Sequence, residues 1–419
     1  MKSPWPTIKL GDKEYFKILG SGIERFEGEK EYLSTSSIEG NKIIAPECKI
    51  TYQKRPSRAN MQPRLNSVWF ARMINTIKVY SFTENNKDEI DKYILSTGFA
   101  GILCNPEKVD PRYLEKIFLS KWFNDLKDSL ASDKAIQKSL NNDDIANLEI
   151  PLPPLPIQQK IVQILDTIQE AIDIHDKIIE KTKELKKSLM AELFKYGGPS
   201  FRKGRKLKQT EIGEIPEDWE VVRLGEVVLK FIGGGTPSTN VKEYWDGEIP
   251  WTTSSIIEEE KVCILKKGQK YISKLGLENS STQIVPAFNL LIGTRVGVGK
   301  VAINEIDIAI NQDLTGIIYN KEKINLFYFA YLLTSPRCQG FFNSYKRGAT
   351  IKGIPRSDLE TMLIPLPPLP EQQEIAEILQ TVDKKIEIER RKKELYEELF
   401  KTVLNKIMNQ EIDVESLDF

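Results

Sequence analysis

The chain has 419 residues, 40% apolar and 29% charged, with 60 lysines and arginines balanced by 60 aspartates and glutamates. That length allows two or three domains with cores of their own. No run reaches the ~18 apolar residues of a membrane span and the first residues carry no signal-peptide pattern, so a cytoplasmic protein is expected. Four scattered cysteines without a CxxC pair give no metal site, and the one histidine, His175, is all that a Ser-His-Asp or Cys-His arrangement could use.

In chain order, residues 1–149 read as a mixed domain: SVWFARM (67–73) has strand character and PRYLEKIFLSKWFNDL (111–126) has helical periodicity. Residues 150–198 form a second segment. They open on IPLPPLPIQQKIVQIL, whose prolines hold the entry extended and seat Pro156 in a first helical turn, and they run as a charged helix to the Gly197-Gly198-Pro199 stop. The stretch 199–210, PSFRKGRKLKQT, has five basic residues and no acid, and reads as a flexible linker. A second mixed domain follows at 211–363, with strand-like VVLKFI (227–232) and NLLIGTRVGVGKVAI (289–303) and helical NLFYFAYLLTS (325–335). Residues 364–419 open on IPLPPLPEQQEIAEIL, which matches the earlier motif at twelve of sixteen positions, 214 residues later. The chain is therefore one unit written twice. The same offset relates Trp5, Leu10 and Gly11 to Trp219, Leu224 and Gly225, and Asp144 to Asp358. With small shifts STSSI (34–38) resembles TTSSI (252–256), and FARM (70–73) resembles GTRV (293–296).

Each long run carries a heptad-like apolar stripe: Ile161, Leu165, Ile168, Ile172, Ile179 and Leu189 in the first, Ile375, Leu379, Val382, Ile386, Leu399 and Val403 in the second. An isolated helix must bury such a stripe, and the other copy is the nearest partner. Two helices related by a pseudo-two-fold axis would pack antiparallel, with a domain toward each end. His175 matches Glu389 in the repeat, and both are expected near the crossing, helping to set register.

The chemistry-bearing patterns point away from catalysis. TRVGVGKV (294–301) has Thr294 and Val301 where a P-loop needs Gly and Ser/Thr, so a turn between strands is expected. FIGGG (231–235) could serve a methyl donor only between a strand and a helix, but TPSTN follows it. Binding fits better. KRPSRANMQPR (54–64) presents Lys54, Arg55, Arg58, Asn60, Gln62 and Arg64 without an acid. YKRGATIKGIPR (345–356) places Lys346, Arg347, Lys352 and Arg356 around glycines. Arg can grip guanine with two bonds, Asn and Gln adenine, and Lys serves phosphates. Arg72, Arg295, Thr236 and Ser238 join these as candidates, the last two on the glycine-rich GGGTPSTN (233–240). A stand-alone DNA adenine methyltransferase and a non-catalytic coiled-coil adaptor are the alternatives.

TEIGEIPEDWEVVRLGEV (210–227), GGGTPSTNVKEYWDGEIPW (233–251), LLIGTRVGVGKVAINEIDIAINQDL (290–314) and both PLPPLPxQQ helices resemble the specificity subunits of type I restriction-modification enzymes. The first domain keeps only Trp5, Leu10 and Gly11 of the opening motif and lacks the Gly-Gly-Thr-Pro loop. The resemblance implies an α+β fold: two α/β target recognition domains in pseudo-two-fold arrangement, separated by two long antiparallel helices forming a coiled coil. It implies double-stranded DNA as ligand, each domain reading half of a split, asymmetric target while the helices fix the gap. It also implies two methylation subunits and two restriction subunits as partners. S-adenosylmethionine, ATP and magnesium would belong to them, leaving this chain without a cofactor, a metal or an active site.

Overall fold

The computed structural model describes residues 5–132, 139–259, 261–346, 353–409 and 411–416. They form two compact units, 1–177 with 390–419 and 178–389. The boundaries differ from the expected ones because each long helix contributes one half to each unit: Leu155–Tyr196 and Leu369–Met408 are both continuous.

The first unit is built on two four-stranded sheets. One has the order Cys48–Ile50, Lys30–Leu33, Tyr93–Ser96, Ala59–Met61, with only its central pair parallel. The other is fully antiparallel: Phe16–Leu19, Phe99–Cys104, Ser67–Ala71, Val79–Phe82. Helices Pro111–Leu119 and Lys121–Ser132 follow. They divide at Ser120, whose hydroxyl both accepts from the Phe123 N–H and donates to the Ile117 carbonyl, turning what the sequence offers as one helix into two. Thr7–Lys9 pairs with Glu149–Pro151, tying the chain's start to the proline motif.

The second unit repeats this plan strand for strand. Lys270–Ile272, Ile249–Thr252, Ile308–Ile310 and Gln283–Val285 form the first sheet, again with one parallel pair at its centre. Val228–Gly233, Leu314–Tyr319, Asn289–Gly293 and Val301–Asn304 form the second, extended by the parallel strand Val262–Leu265. Helices Leu326–Thr334 and Pro336–Tyr345 then lead to Leu363–Leu366, paired with Glu220–Arg223. Strands Ser67–Ala71, Asn289–Gly293 and Val301–Asn304 are buried at every position, as sheets covered on both faces require.

The repeated glutamine explains the shape of the proline motif. Gln158 accepts from the Asp110 N–H (2.9 Å) and donates to the Lys108 and Pro153 carbonyls (both 2.9 Å). Gln372 does the same with Asn325 (2.7 Å), Lys323 (3.0 Å) and Pro367 (2.8 Å). Both side chains are buried. Tyr113 and Tyr328 donate to the Pro151 and Pro365 carbonyls, each at 2.9 Å. Asp110 and Asn325 are N-caps, so one clasp joins the sheet, the cap of the following helix and the entry to the long helix.

Within each unit the two helix halves run antiparallel. In the first, Ile161, Val162 and Leu165 pack with Leu404, Ile407 and Met408, and further along His175 stacks on Tyr396 (5.4 Å) and Asp176 pairs with Lys393 (2.6 Å). In the second, Met190 and Leu193 meet Ile375, Ala376 and Leu379, and Asp383 accepts from Lys186 (2.6 Å) and Tyr331 (2.8 Å). Of the expected stripe, Ile161, Leu165, Ile172, Ile179, Ile375, Leu379 and Ile386 are buried, and Ile168, Leu189, Val382 and Val403 are half-buried. Leu399 is the exception. It faces solvent, and Phe400, Val403, Leu404 and Ile407 carry the seam there, because an α-helix advances 100° per residue and drifts away from a strict seven-residue repeat. Glu389 is buried and receives the Lys385 ammonium at 2.6 Å.

The segment 199–210 is not a flexible linker. It holds a short helical turn, Pro199–Phe201, and a strand, Leu207–Thr210, paired with Gly213–Pro216. Three of its five cations have partners within the unit, while Lys203 and Lys206 are exposed. Arg205 grips buried Glu371 and also Asp218 (2.5 Å), Arg202 donates to the Gly197 carbonyl (2.8 Å), and Lys208 donates to the Glu217 and Trp219 carbonyls. Five positive charges in a row read as a solvated run, but here three of them neutralise or cap groups of the second unit.

Candidate nucleic-acid interface

In the second unit, the ends of Val228–Gly233, Ile249–Thr252, Asn289–Gly293 and Ile308–Ile310 lie together with the starts of Lys270–Ile272, Gln283–Val285 and Leu314–Tyr319. Hydrogen bonds stitch the loops at this end across the two sheets. The Gly235 N–H donates to the Ile310 carbonyl (3.0 Å), the Trp251 indole to the Gly235 carbonyl (3.2 Å), and the Asn311 N–H to the Thr252 carbonyl (3.0 Å). The glycines of 233–235 therefore serve packing. A Cβ on Gly234 would lie 2.2 Å from the Asn311 carbonyl oxygen, and the Gly235 N–H is already used. Thr236 is left outward, donating to Gln312 at 2.7 Å, with Ser238 exposed beside it. TRVGVGKV forms the expected turn between strands, and Gly297 and Gly299 take positive φ.

Arg295 is exposed at this end. Arg356 reaches it as well, stacked 4.8 Å over Phe231 and 3.5 Å from Glu360; the Ile354 N–H, two residues earlier, is bonded to the Thr294 carbonyl (2.8 Å). Lys346 is half-buried and donates to Asn343 (2.6 Å). Arg347 and Lys352 lie outside the described residues.

In the first unit the equivalent end carries the loops after Leu33, Ala71 and Ser96 and those before Cys48, Ala59 and Phe99. Arg58 is exposed here, its carbonyl accepting from the Thr97 N–H (2.9 Å). The rest of 54–64 does not gather at this end. Lys54 and Arg55 precede it on the approaching loop, with the Arg55 guanidinium folded over the Tyr52 ring at 4.4 Å. Strand Ala59–Met61 then carries Asn60 across the sheet. Gln62, half-buried, and Arg64, exposed, emerge at the far end, where Arg64 pairs with Glu24 at 2.7 Å. Three residues of strand cover about 10 Å, so a cluster in sequence becomes two places in space.

Arg72 is at the right end but is held by its own chain. Its guanidinium donates to the Phe99 carbonyl (2.9 Å), the Leu140 carbonyl (3.3 Å) and the Asn142 side chain (2.8 Å), and burial holds its pKa below the ordinary arginine value. The pairing register shows why it differs from Arg295. Ala71 opposes Phe99 and Gly293 opposes Leu314, so Arg72 corresponds to Thr294, and Arg295 corresponds to the exposed Met73. The N-caps Ser34 and Thr253 correspond likewise. Both sequence matches were displaced by one residue. A further loop, KKGQK (266–270), starts at the opposite end of the second sheet, where Lys266 pairs with Glu305 at 3.6 Å, and brings Gln269 and Lys270 to this same end in the second unit.

The family model described as the type I restriction modification DNA specificity domain matches this chain at residues 7–184 and again at 216–398. The chain belongs to the type I specificity-subunit family. It is 34% identical to the MjaX specificity subunit of Methanocaldococcus jannaschii over 318 residues, 74% of this chain and 70% of that one. It is 28% identical over 267 residues, 62% of each chain, to the EcoR124I/EcoR124II specificity subunit of Escherichia coli. Among solved structures, a chain from a type I restriction-modification system matches over 97% of this chain and 99% of its own, at a TM-score of 0.63 and 22% identity. The specificity subunit of M. genitalium matches over 96% and 95%, at 0.52 and 12%. The doubled match reproduces the internal repeat, and among the described residues no helix is long and apolar enough to cross a membrane.

Proposed function

We propose that this member of the specificity-subunit family reads a split duplex target, one half with the loop end of each unit, and that the length of its paired helices sets the unread gap. The observation that carries this reading is the doubling. One strand plan occurs twice, each copy fastened to the long helices by the same glutamine–tyrosine clasp, while the loop ends carry unlike side chains. Base-edge readout needs outward donors and acceptors on a rigid frame, and phosphate contacts position that frame. Among the outward groups, Arg58, Arg295, Arg356, Thr236 and Ser238 stand closest to that requirement.

The chain in this reading performs no chemistry. S-adenosylmethionine, ATP and magnesium are bound by two methylation and two restriction subunits in the cytoplasm. The pairing of methylation subunits is supported by the helices' outer faces. Ile174 and Leu185 are 54% and 52% exposed on the first helix, and Ile388 and Leu399 are 44% and 43% exposed on the second. Both pairs are eleven residues apart, three helical turns, and fall at repeat-related positions. Two equivalent apolar faces suit two copies of one partner.

Sequencing the methylated positions of the host genome with and without this gene tests the reading. Its loss should erase methylation of one bipartite motif. Four residues inserted near Glu180, about 6 Å of helix, should lengthen the gap by one or two base pairs and leave both half-sites unchanged. Changed half-sites with an unchanged gap would overturn the ruler. S-adenosylmethionine binding by the chain alone would favour a free-standing methyltransferase instead.

A further inference from the structure

We infer that Asn75, at the tip of a hairpin turn in the first unit, reads one adenine·thymine pair of that unit's half-site, with a neighbouring apolar side chain, Met73 or Ile77, on the thymine methyl. The inference rests on the reading that this loop end faces DNA.

The turn joins Ser67–Ala71 to Val79–Phe82 and is fixed at its base and at its tip. The Ala71 N–H donates to the Lys78 carbonyl (3.0 Å), the Asn75 N–H to the Asp128 carboxylate (3.1 Å), and the buried Lys127 ammonium to the Thr76 carbonyl (2.6 Å). Exposure alternates along it. Ile74 packs on the core beneath, and the Thr76 hydroxyl bonds back to the Ile74 carbonyl (3.1 Å), so Met73, Asn75 and Ile77 are the residues turned outward. Met73 and Ile77 are 50% and 46% exposed. The cations at the two roots of the turn are engaged, Arg72 on the Phe99 and Leu140 carbonyls and Lys78 on the Thr35 carbonyl (2.5 Å). A turn without a free charge is a poor phosphate contact. It offers a duplex one amide between two apolar side chains.

The Asn75 amide has no hydrogen-bond partner among the described residues. The N–H and the carbonyl lone pair on its shared edge are both open, a parallel donor and acceptor. They complement adenine's major-groove edge, where N7 accepts and N6 donates. The paired thymine presents its C5 methyl in the same groove. Because an apolar side chain stands on each side of the amide, one meets that methyl whichever way the pair runs.

The second unit builds the same turn with other chemistry. The Gly293 N–H donates to the Lys300 carbonyl (2.8 Å) as Ala71 does to Lys78, and Gln339 holds the Gly299 carbonyl (2.8 Å) much as Lys127 holds that of Thr76. Residues 294–299 thus correspond to 72–77, and positive φ falls at the same step, +70° at Gly297 and +54° at Asn75. Glycine is enough for that conformation; asparagine supplies it and adds an amide. Met73 takes the place of Arg295, whose fork suits guanine. One turn of the fold holds an A·T reader in one unit and a guanine-type group in the other.

The experiment is selection from random duplexes by the full chain assembled with its methylation subunits. Asn75→Gly permits the positive φ, and thermal unfolding should show the fold intact. It should flatten one A·T position in one half of the motif by roughly 5- to 150-fold and leave every other position unchanged. Asn75→Asp, which only accepts, should shift that position toward C·G. Deoxyuridine in place of that thymine removes one methyl and should weaken the native complex about 4-fold; it should make no difference to a variant carrying both Met73→Ala and Ile77→Ala. Uniform weakening with an unchanged motif, flattening at a G·C pair by Asn75→Gly, or a native complex indifferent to deoxyuridine would overturn the inference, while the split motif of the native chain left the broader reading standing. Absence of any split motif for the native complex would overturn both.

Discussion

The two units share a strand plan but differ in what holds them and what they present. Where each domain meets the long helices, the chemistry is duplicated almost atom for atom: Gln158 and Gln372 make the same three bonds, and Tyr113 and Tyr328 the same one. At the opposite, loop-bearing end, duplication stops. Arg72 is locked where its counterpart is Thr294, Met73 stands where Arg295 does, and Glu47 stands where Gln269 does. A docking surface that must fit a duplicated helix has one solution, and so keeps its residues. A surface that must fit two different ligands has two solutions.

The largest test of this contrast lies where the clasp itself has diverged. Glu371 is buried under Arg205, the Trp219 indole (2.9 Å) and the Gly198 N–H (3.0 Å), whereas its repeat partner is Ile157. Glu371→Ala strips a buried guanidinium of its main partner and leaves two N–H groups unmet, and should destabilise the second unit by about 3–5 kcal/mol. Ile157→Ala, at a half-buried site, should cost the first unit about 1 kcal/mol. Hydrogen exchange resolved by unit measures both, and a loss below about 1 kcal/mol at Glu371 would show that the ionic latch is replaceable by water.

The next effect is smaller and symmetrical. Gln158→Ala and Gln372→Ala each orphan a capping N–H and two carbonyls, at about 2–3 kcal/mol. Chemical denaturation should give costs within about 1 kcal/mol of each other. A strong asymmetry would mean that the clasp is stabilising in one unit and only inherited in the other.

How much of this was legible in the sequence follows the same division. The long helices, the glycine stop of the first and the strands around Val68, Val228 and Leu290 were readable, because periodicity and turn residues are local signals. The role of QQ was not, since its partners lie about fifty residues away in sequence. The loop end was read unevenly. Charge singled out 54–64, but a strand divides that run between two ends of a sheet. Charge also singled out 199–210, where Arg205 and Lys208 serve internal acids and carbonyls. Gln269 carries no net charge and gave no signal. Its hydroxyl partners, Ser255 and Thr253, sit fourteen and sixteen residues away, brought to it only by the pairing of Ile249–Thr252 with Lys270–Ile272.

A backbone difference between the units supplies a third test. Asn66 and Phe288 each sit one residue before the central strand and each takes positive φ, +61° and +58°. Asparagine tolerates that region, while a phenylalanine there costs roughly 1–2 kcal/mol. Phe288 is exposed, so little burial is lost on changing it. Phe288→Asn should stabilise the second unit by about 1 kcal/mol and Asn66→Phe should destabilise the first by a similar amount. Thermal unfolding reads both, and a destabilising Phe288→Asn would mean that the ring is held by contacts worth more than the strain.

The smallest effect on folding separates the helices' inner seam from their outer face. Leu404 is buried and Leu399, five residues earlier, is exposed. Leu404→Gln should destabilise by about 2 kcal/mol or more; Leu399→Gln and its repeat partner Leu185→Gln should each stay within about 0.5 kcal/mol of the parent. If the outer faces receive the methylation subunits, the two silent substitutions should each weaken capture of one subunit copy, and the double variant should lose both. Capture that survives the double variant would leave those leucines as ordinary surface residues and move the docking surface elsewhere on the chain.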